Sequence, residues 1–268
     1  MKNLRRKIRA NIFHYTKDIP RSSLQAKPQV SAFWWDSVLN FGDLLTPDII
    51  SHFGYSAFKS NTANTSIAGV GSILGKLNPD FSGVVFGSGL LLPKETRFER
   101  ANYLSVRGEL TKKYLGLDPS TLTGDLGLLA GRLYQAGEKK YSIGFVPHYV
   151  DYEHAYFNNI KQLYGPNVCL IDVQNYPARV AYQISQCNLI ISSSLHGLIF
   201  ADAMNIPNIR ITIGEGLLGG DFKFFDYNSS IDKEQHAHLI KSLDHKLDVD
   251  KICVAVNEHK LREKVDTL

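Results

Sequence analysis

Short runs rich in Val, Ile and Phe recur along this chain, separated by stretches with the spacing of helices, and this alternation leaves few architectures open. A first series reads "VSAFWWD" from Val30, then "SIAGVGSIL", "GVVFGSGL", "NYLSVRG" and "TLTGD". A second reads "YSIGFVPH" from Tyr141, "NVCLIDV" from Asn167, "NLIISSS" from Asn188 and "IRITIG" from Ile209. Strands that alternate with helices predict mostly parallel sheets joined by crossover helices. Between the series, "GRLYQAGEKK" at residues 131–140 has the Gly and charge content of a linker. The expected fold is therefore α/β, with two Rossmann-like domains, residues 1–135 and 136–245, facing across a cleft that collects the loops at the carboxyl ends of their strands. After Asp232 the pattern turns helical, and in residues 246–268 "VDKICVAVNEHKLREKV" has the spacing of one long amphipathic helix packing back on the N-terminal domain.

With 268 residues, 44% hydrophobic and 21% charged, the chain can bury a substantial core. A net charge of +4 suits an anionic small molecule or a membrane surface better than duplex nucleic acid, and no nucleic-acid partner is expected. Cys169, Cys187 and Cys253 are distant in sequence and form no CxxC, so neither a disulfide framework nor a zinc site is expected, and the cytoplasm is the expected compartment. No run approaches the roughly 18 apolar residues that span a bilayer. The basic N-terminus leads into "NIFHYTKDIPRSS" in place of a signal peptide's apolar core. Lys2, Arg5, Arg6, Lys7 and Arg9 interleave with Leu4, Ile8, Ile12 and Phe13. If helical, this segment has one cationic and one apolar face, fit for peripheral contact with anionic lipid at the inner face of the cytoplasmic membrane; a solvated terminus is the other reading.

The chemistry concentrates in "IISSSLHGLIFADAMNIP", residues 190–207. A strand ending near Ser192 and a helix starting near Leu195 would aim free N–H groups at an anion, with the Ser193 and Ser194 hydroxyls beside them. His196 then lies in the first turn, where an anion raises its proton affinity and the helix N-terminus lowers it, as a proton donor near neutrality requires. The same spacing also fits Ser194 as a simple N-cap and His196 as the partner of a backbone carbonyl. In "NFGD", Gly42 permits close backbone approach, and Asn40 and Asp43 offer hydrogen bonds or proton acceptance to a ligand; Asp43 equally fits a helix cap. The GxGxxxG of Gly69, Gly71 and Gly75 lacks the acidic residue of a dinucleotide site. Asp248 and Asp250 spell DxD ahead of a helix, where carboxylates cap well, so no metal is expected from them.

Taken in order, "WWDSVLNFGDLLTPDI" from Trp34, "LSVRGELTKKYLG" from Leu104, "TGDLGLL", "IGFVPHY", "SSSLHGLIFADAMNIP" and "DFKFFDYNSS" resemble the landmarks of the polysaccharide pyruvyltransferases, over roughly Trp34 to Ser230. The resemblance implies transfer of a carboxyethylidene group from phosphoenolpyruvate to a sugar of a surface polysaccharide or its lipid-linked precursor, on a GT-B-like pair of domains. It implies phosphoenolpyruvate as a substrate with no further cofactor and no metal. A glycan or lipid-linked oligosaccharide would be the acceptor. Ketal formation needs an acid, a base and a cationic clamp. His196 is the acid by resemblance and Asp43 the candidate base. Arg107, whose fork suits carboxylate or phosphate, is the expected donor clamp, with an ion pair to Glu109 as its alternative. Lys223, His148, Ser193, Ser194 and Leu195 complete the donor side; Asn40, Gly42, Gly71 and Ser72 form the acceptor side. Some family members carry Arg where this chain has Ser194, which removes one clamp. A GT-B glycosyltransferase using a nucleotide sugar is the alternative, and a sugar-binding protein without chemistry is a third.

Overall fold

A computed structural model describes residues 27–214 and 219–268. The basic amphipathic segment at Lys2 to Phe13 lies outside the described residues.

The strands are β1 (Gln29–Phe33), β2 (Ser56–Lys59), β3 (Ile67–Ala68), β4 (Val84–Ser88), β5 (Asn102–Val106), β6 (Leu122–Thr123), β7 (Tyr141–Val146), β8 (Val168–Leu170), β9 (Cys187–Ser192), β10 (Asn208–Ile213) and β11 (His238–Ile240). They form two parallel sheets, ordered β2-β1-β3-β4-β5-β6 and β11-β10-β9-β7-β8. The helices are α1 (Thr46–His52), α2 (Glu109–Leu115), α3 (Ala130–Leu133), α4 (Ile160–Tyr164), α5 (Pro177–Ser185), α6 (Leu195–Ala203), α7 (Phe222–Ser229), α8 (Val249–Ile252) and α9 (Glu258–Thr267). Parallel neighbours require crossovers, which these helices and the loops between them supply. The mixed α/β class and the parallel sheets agree with the sequence pattern. Two edge strands, β2 and β11, escaped it because neither carries a continuous apolar run.

The core runs between the sheets. Phe41, Leu45, Val70 and Leu126 from the first half pack in one cluster with Val146, Val173, Val180 and Phe200 from the second. Phe41 also donates its backbone N–H to the Val173 carbonyl at 2.9 Å. Helix α6 is the axis of this arrangement: every residue from Leu195 to Asp202 is buried, consistent with a segment apolar on all sides. It packs on the first sheet's Leu126–Leu129 turn, where a side chain on Gly127 would collide with Ile199.

Two expectations need correction. Residues 131–140 are not a loose linker at their start, because α3 packs its Gly131 against the Ala203 carbonyl and Tyr134 donates to Asp48. The C-terminal region is not one long helix, nor is the chain helical directly after Asp232. His238–Ile240 is strand β11, and the helical pattern from Val249 breaks at Cys253. There Val254 forms an antiparallel bridge to Asn208, and Asn257 caps a new helix by accepting from the Lys260 N–H at 3.1 Å. Helix α9 then buries Leu261 against the cluster of Leu128 and Tyr227, and Leu268 reaches Gly124.

Cys169 and Cys187, far apart in sequence, approach to 3.6 Å between sulfurs. They flank β7 at Gly144, where an added side chain would strike the Cys187 sulfur. Both are free thiols.

Candidate active site

The site is built where β9 gives way to α6. The Ser192 hydroxyl accepts from the Ser194 N–H at 3.0 Å and lies 2.7 Å from the Val146 carbonyl, closing a tight turn out of the sheet. Ser193 is turned the other way. Its hydroxyl donates to Asp151 and accepts from the His148 N–H at 2.9 Å. Expected as a donor contact, Ser193 here uses its O–H and one acceptor site to brace the β7 exit loop, and it is not among the residues that line the cavity beside it. Ser194 occupies the N-cap position of α6 without making a side-chain cap bond.

A cavity of about 210 Å3 opens at this junction. Ser194, Leu195 and His196 form one wall, and Asn40, Asp43, Ser72, His148 and Lys223 converge on it from elsewhere in the chain. Gly42 and Gly71 stand behind it. A methyl group on Gly42 would fall 1.9 Å from the His196 ring, so this glycine makes room for the imidazole. Gly71 adopts φ +110°, in the left-handed region, and lies against a carboxylate oxygen of Asp43. Asn40 accepts from the Gly42 N–H at 3.1 Å and so holds the "NFGD" turn together.

Arg107 does not reach the cavity. It is wholly buried at the end of β5, and Nε donates to Asp226 at 2.9 Å, Nη1 to Ser72 at 2.6 Å and Nη2 to the Leu90 carbonyl at 2.5 Å. Expected as the donor clamp, Arg107 here holds Ser72, which lines the cavity, by its Nη1. Its partner is Asp226 on α7; Glu109 pairs with Lys112. Asp226 further accepts from the Thr111 N–H and hydroxyl, at 2.7 and 2.6 Å. This network ties α7, and with it Lys223, to the first sheet.

The electrostatics sort the ionisable groups. His196 is 7% exposed, with Nε2 buried and without a hydrogen-bond partner among the described residues. Burial, then the positive charges of Arg107, Lys223 and His148, push it down to about 3, so the ring is neutral near pH 7. Burial pushes Asp43 up to about 7, offset in part by Lys223, so its carboxyl holds a proton for much of the time at neutrality. Lys223 is lowered to about 8 by burial and then by Arg107, yet remains mostly cationic at neutral pH. His148 is pushed down to about 4, by burial first and Lys223 second. At neutrality Asp43 is therefore divided between its protonated and ionised forms, while the neutral His196 ring keeps an Nε2 that has no hydrogen-bond partner among the described residues.

Sequence reasoning missed several lining residues, among them Trp35, Lys76, Leu91 and Tyr149. Lys76 stands 3.8 Å over the Trp35 ring, adding a second cation at the mouth. Its one legible signal was its place just after the "GVGSILG" loop. Asp226 was also missed, although it lies three residues beyond the singled-out Lys223.

The chain is thus an α/β protein of two parallel sheets with an imidazole, a carboxyl and a lysine lining one cavity. The family comparison is specific: residues 31–215 match the polysaccharide pyruvyl transferase family, and the chain belongs to that family. An uncharacterized protein, L143, of Acanthamoeba polyphaga mimivirus is 34% identical over 184 residues, covering 62% of this chain and 61% of that protein. The succinoglycan biosynthesis protein ExoV of Rhizobium meliloti (strain 1021) is 28% identical over 207 residues, covering 74% of this chain and 64% of that protein. The chain thus spans a little under two thirds of the length of these relatives. No solved structure matches it. Among the described residues, no helix is long and apolar enough to cross a membrane.

Proposed function

We propose that this protein transfers a carboxyethylidene group from phosphoenolpyruvate to two hydroxyls of a sugar in a surface polysaccharide or its lipid-linked precursor, releasing phosphate, without a metal or further cofactor. In this reading residues 1–135 and 136–245 act as GT-B-like domains with the reaction at their junction. The observation that carries it is the His196 Nε2, buried and without a hydrogen-bond partner among the described residues, in a cavity shared with Asp43 and Lys223. A volume of about 210 Å3 favours a compact donor over a nucleotide sugar, being below the roughly 300–1,000 Å3 of sites for larger ligands.

The proton inventory closes on these residues. One sugar hydroxyl adds to the central carbon of the enol phosphate and yields its proton to His196, while Asp43 protonates the methylene carbon to a methyl group. Lys223 and the free N–H groups at the start of α6 balance the donor's negative charge. The C–O bond to phosphate then breaks, and His196 returns its proton to the departing phosphate. The second hydroxyl adds to the same carbon, and its proton restores Asp43. One hydroxyl proton ends on the methyl group and the other on phosphate, and both catalytic groups are reset.

The test is glycan-dependent release of phosphate from phosphoenolpyruvate, followed by phosphorus NMR, in the parent and in His196→Gln. The variant should lose about 10²-fold or more in rate, the scale of losing a proton-transfer group, and EDTA should leave the parent rate unchanged. Equal rates in the two proteins would remove His196 from the chemistry.

A further inference from the structure

Asp125, from the "TGDLGLL" segment, is wholly buried and takes no part in the proton transfers described above. Its Oδ1 accepts the Gly127 N–H at 2.8 Å and so caps the Leu126–Leu129 turn. Oδ2 is left buried without a hydrogen-bond partner among the described residues, as is Nε2 of His196. Unpaired buried polar atoms are costly, and two of them facing one helix call for a common explanation.

The packing of α6 brings these two side chains to the same level. A side chain on Gly127 would begin 2.7 Å from Ile199 Cγ2 and 3.0 Å from Asp125 Oδ1, so the carboxyl and Ile199 crowd the same point. Four residues further along both segments, Gly131 meets the Ala203 carbonyl. The turn and the helix therefore run side by side in the same direction. His196 stands one helical turn before Ile199, on the face that Ile199 and Ala203 share, and Asp125 stands two residues before Gly127. The carboxyl is also near enough to the cavity for its charge to act on Asp43, and the charge of Arg107 acts on both Asp125 and His196. Burial pushes Asp125 up to about 6, opposed by the Gly127 N–H and by Arg107, so it is mostly ionised above neutrality.

We propose that Asp125 is the positioning residue of His196: its Oδ2 accepts the Nε2–H of the ring, directly or through a bridging water, and leaves Nδ1 bare for the proton of the sugar hydroxyl. The proposal rests on the pyruvyl-transfer reading and deepens it by assigning the two ring nitrogens. When the hydroxyl proton arrives at Nδ1, both nitrogens carry hydrogen and the ring is cationic, in a site where burial, Arg107 and Lys223 all oppose that charge. The Asp125 carboxylate offsets it, and the hydrogen on Nε2 stays in place until Nδ1 gives its proton to phosphate. Asp125 touches no substrate and acts only through the ring.

The tautomer of the ring reads this contact without any turnover. Nitrogen-15 NMR of the parent at about pH 8 should show hydrogen on His196 Nε2, a bare Nδ1 and an N–H proton slow to exchange. Loss of those signals in His196→Gln assigns them among the nine histidines. Asp125→Asn keeps the volume and the Oδ1 acceptor for Gly127 but turns an N–H toward the ring, so it should move the hydrogen to Nδ1. In glycan-dependent phosphate release its kcat should fall by about 10²-fold or more with the KM for phosphoenolpyruvate unchanged, because the nitrogen that must receive the proton is already occupied. A thermal melt reports whether the variant is folded, and the parent spectrum decides alone if it is not. Hydrogen on Nδ1 in the parent, or a tautomer and a kcat indifferent to Asp125→Asn, would overturn the proposal and leave the pyruvyl-transfer reading standing. The expected pair of tautomers in a protein that moves no pyruvate would support the contact and overturn that reading.

Discussion

His196 and Asp43 line one cavity, yet burial moves their proton affinities in opposite directions, to about 3 and about 7. Desolvation penalises whichever form is charged, so it favours the neutral imidazole and the protonated carboxyl alike. The sign of the pH dependence follows. If Asp43 is the acid, activity requires its protonated form and is lost as pH rises through about 7, with Lys223 losing its charge at about 8 and adding to the fall. If His196 is the base, its required neutral form persists down to about 3. kcat/KM should therefore be flat from pH 5 to 6.5 and decline above 7, and Asp43→Asn should lower kcat by about 10²-fold or more. A profile rising from pH 5 to 8 would contradict the assignment. At this scale much was legible: Asn40, Asp43, Ser72, His148, Ser194, Leu195, His196 and Lys223 line the cavity. Arg107 and Ser193 lie outside the cavity lining for one physical reason. Residue type and position at a strand end reveal what a side chain can bind, but not that Asp226, 119 residues away, or Asp151 has already bound it.

The elements that hold the site are short turns with no slack. Gly42→Ala would drive a methyl group into the His196 ring, which the closely packed wall formed with Phe41 and Leu195 cannot absorb without moving it. A displacement on the order of 1 Å costs about 10²-fold, so steady-state kinetics should show kcat falling by roughly that factor. Unchanged kcat would show that the ring's position does not matter. Helix α7 is held through Asp226, buried with Arg107 and Thr111. Asp226→Ala leaves a guanidinium buried without its counter-charge, a loss of about 3–5 kcal/mol, which thermal unfolding should register as a Tm lower by roughly 10 °C. A shift of a degree or two would mean that the pair contributes little. The apolar runs disclosed the inner strands because buried parallel strands are apolar on both faces. They could not disclose the break before α9, which depends on Val254 pairing with Asn208, a contact that no local pattern encodes.

Over the whole molecule, residues of both sheets meet in one core cluster around α6, and two cavities lie on either side of a single turn from the first half of the chain. The division into two strand series was visible in the sequence; the continuity of the core was not, because it arises from the docking of Phe41 beside Val173 and of Leu126 to Leu129 on α6. The family match over residues 31–215 covers this shared core and most of the residues lining both cavities. The most direct measurement is incubation of the protein with phosphoenolpyruvate and a panel of lipid-linked and aryl glycosides, followed by mass spectrometry. The account predicts an acceptor heavier by one pyruvate less one water, with one phosphate released for each. Phosphoenolpyruvate left intact with every acceptor, or a sugar transferred from a nucleotide sugar in its place, would contradict it.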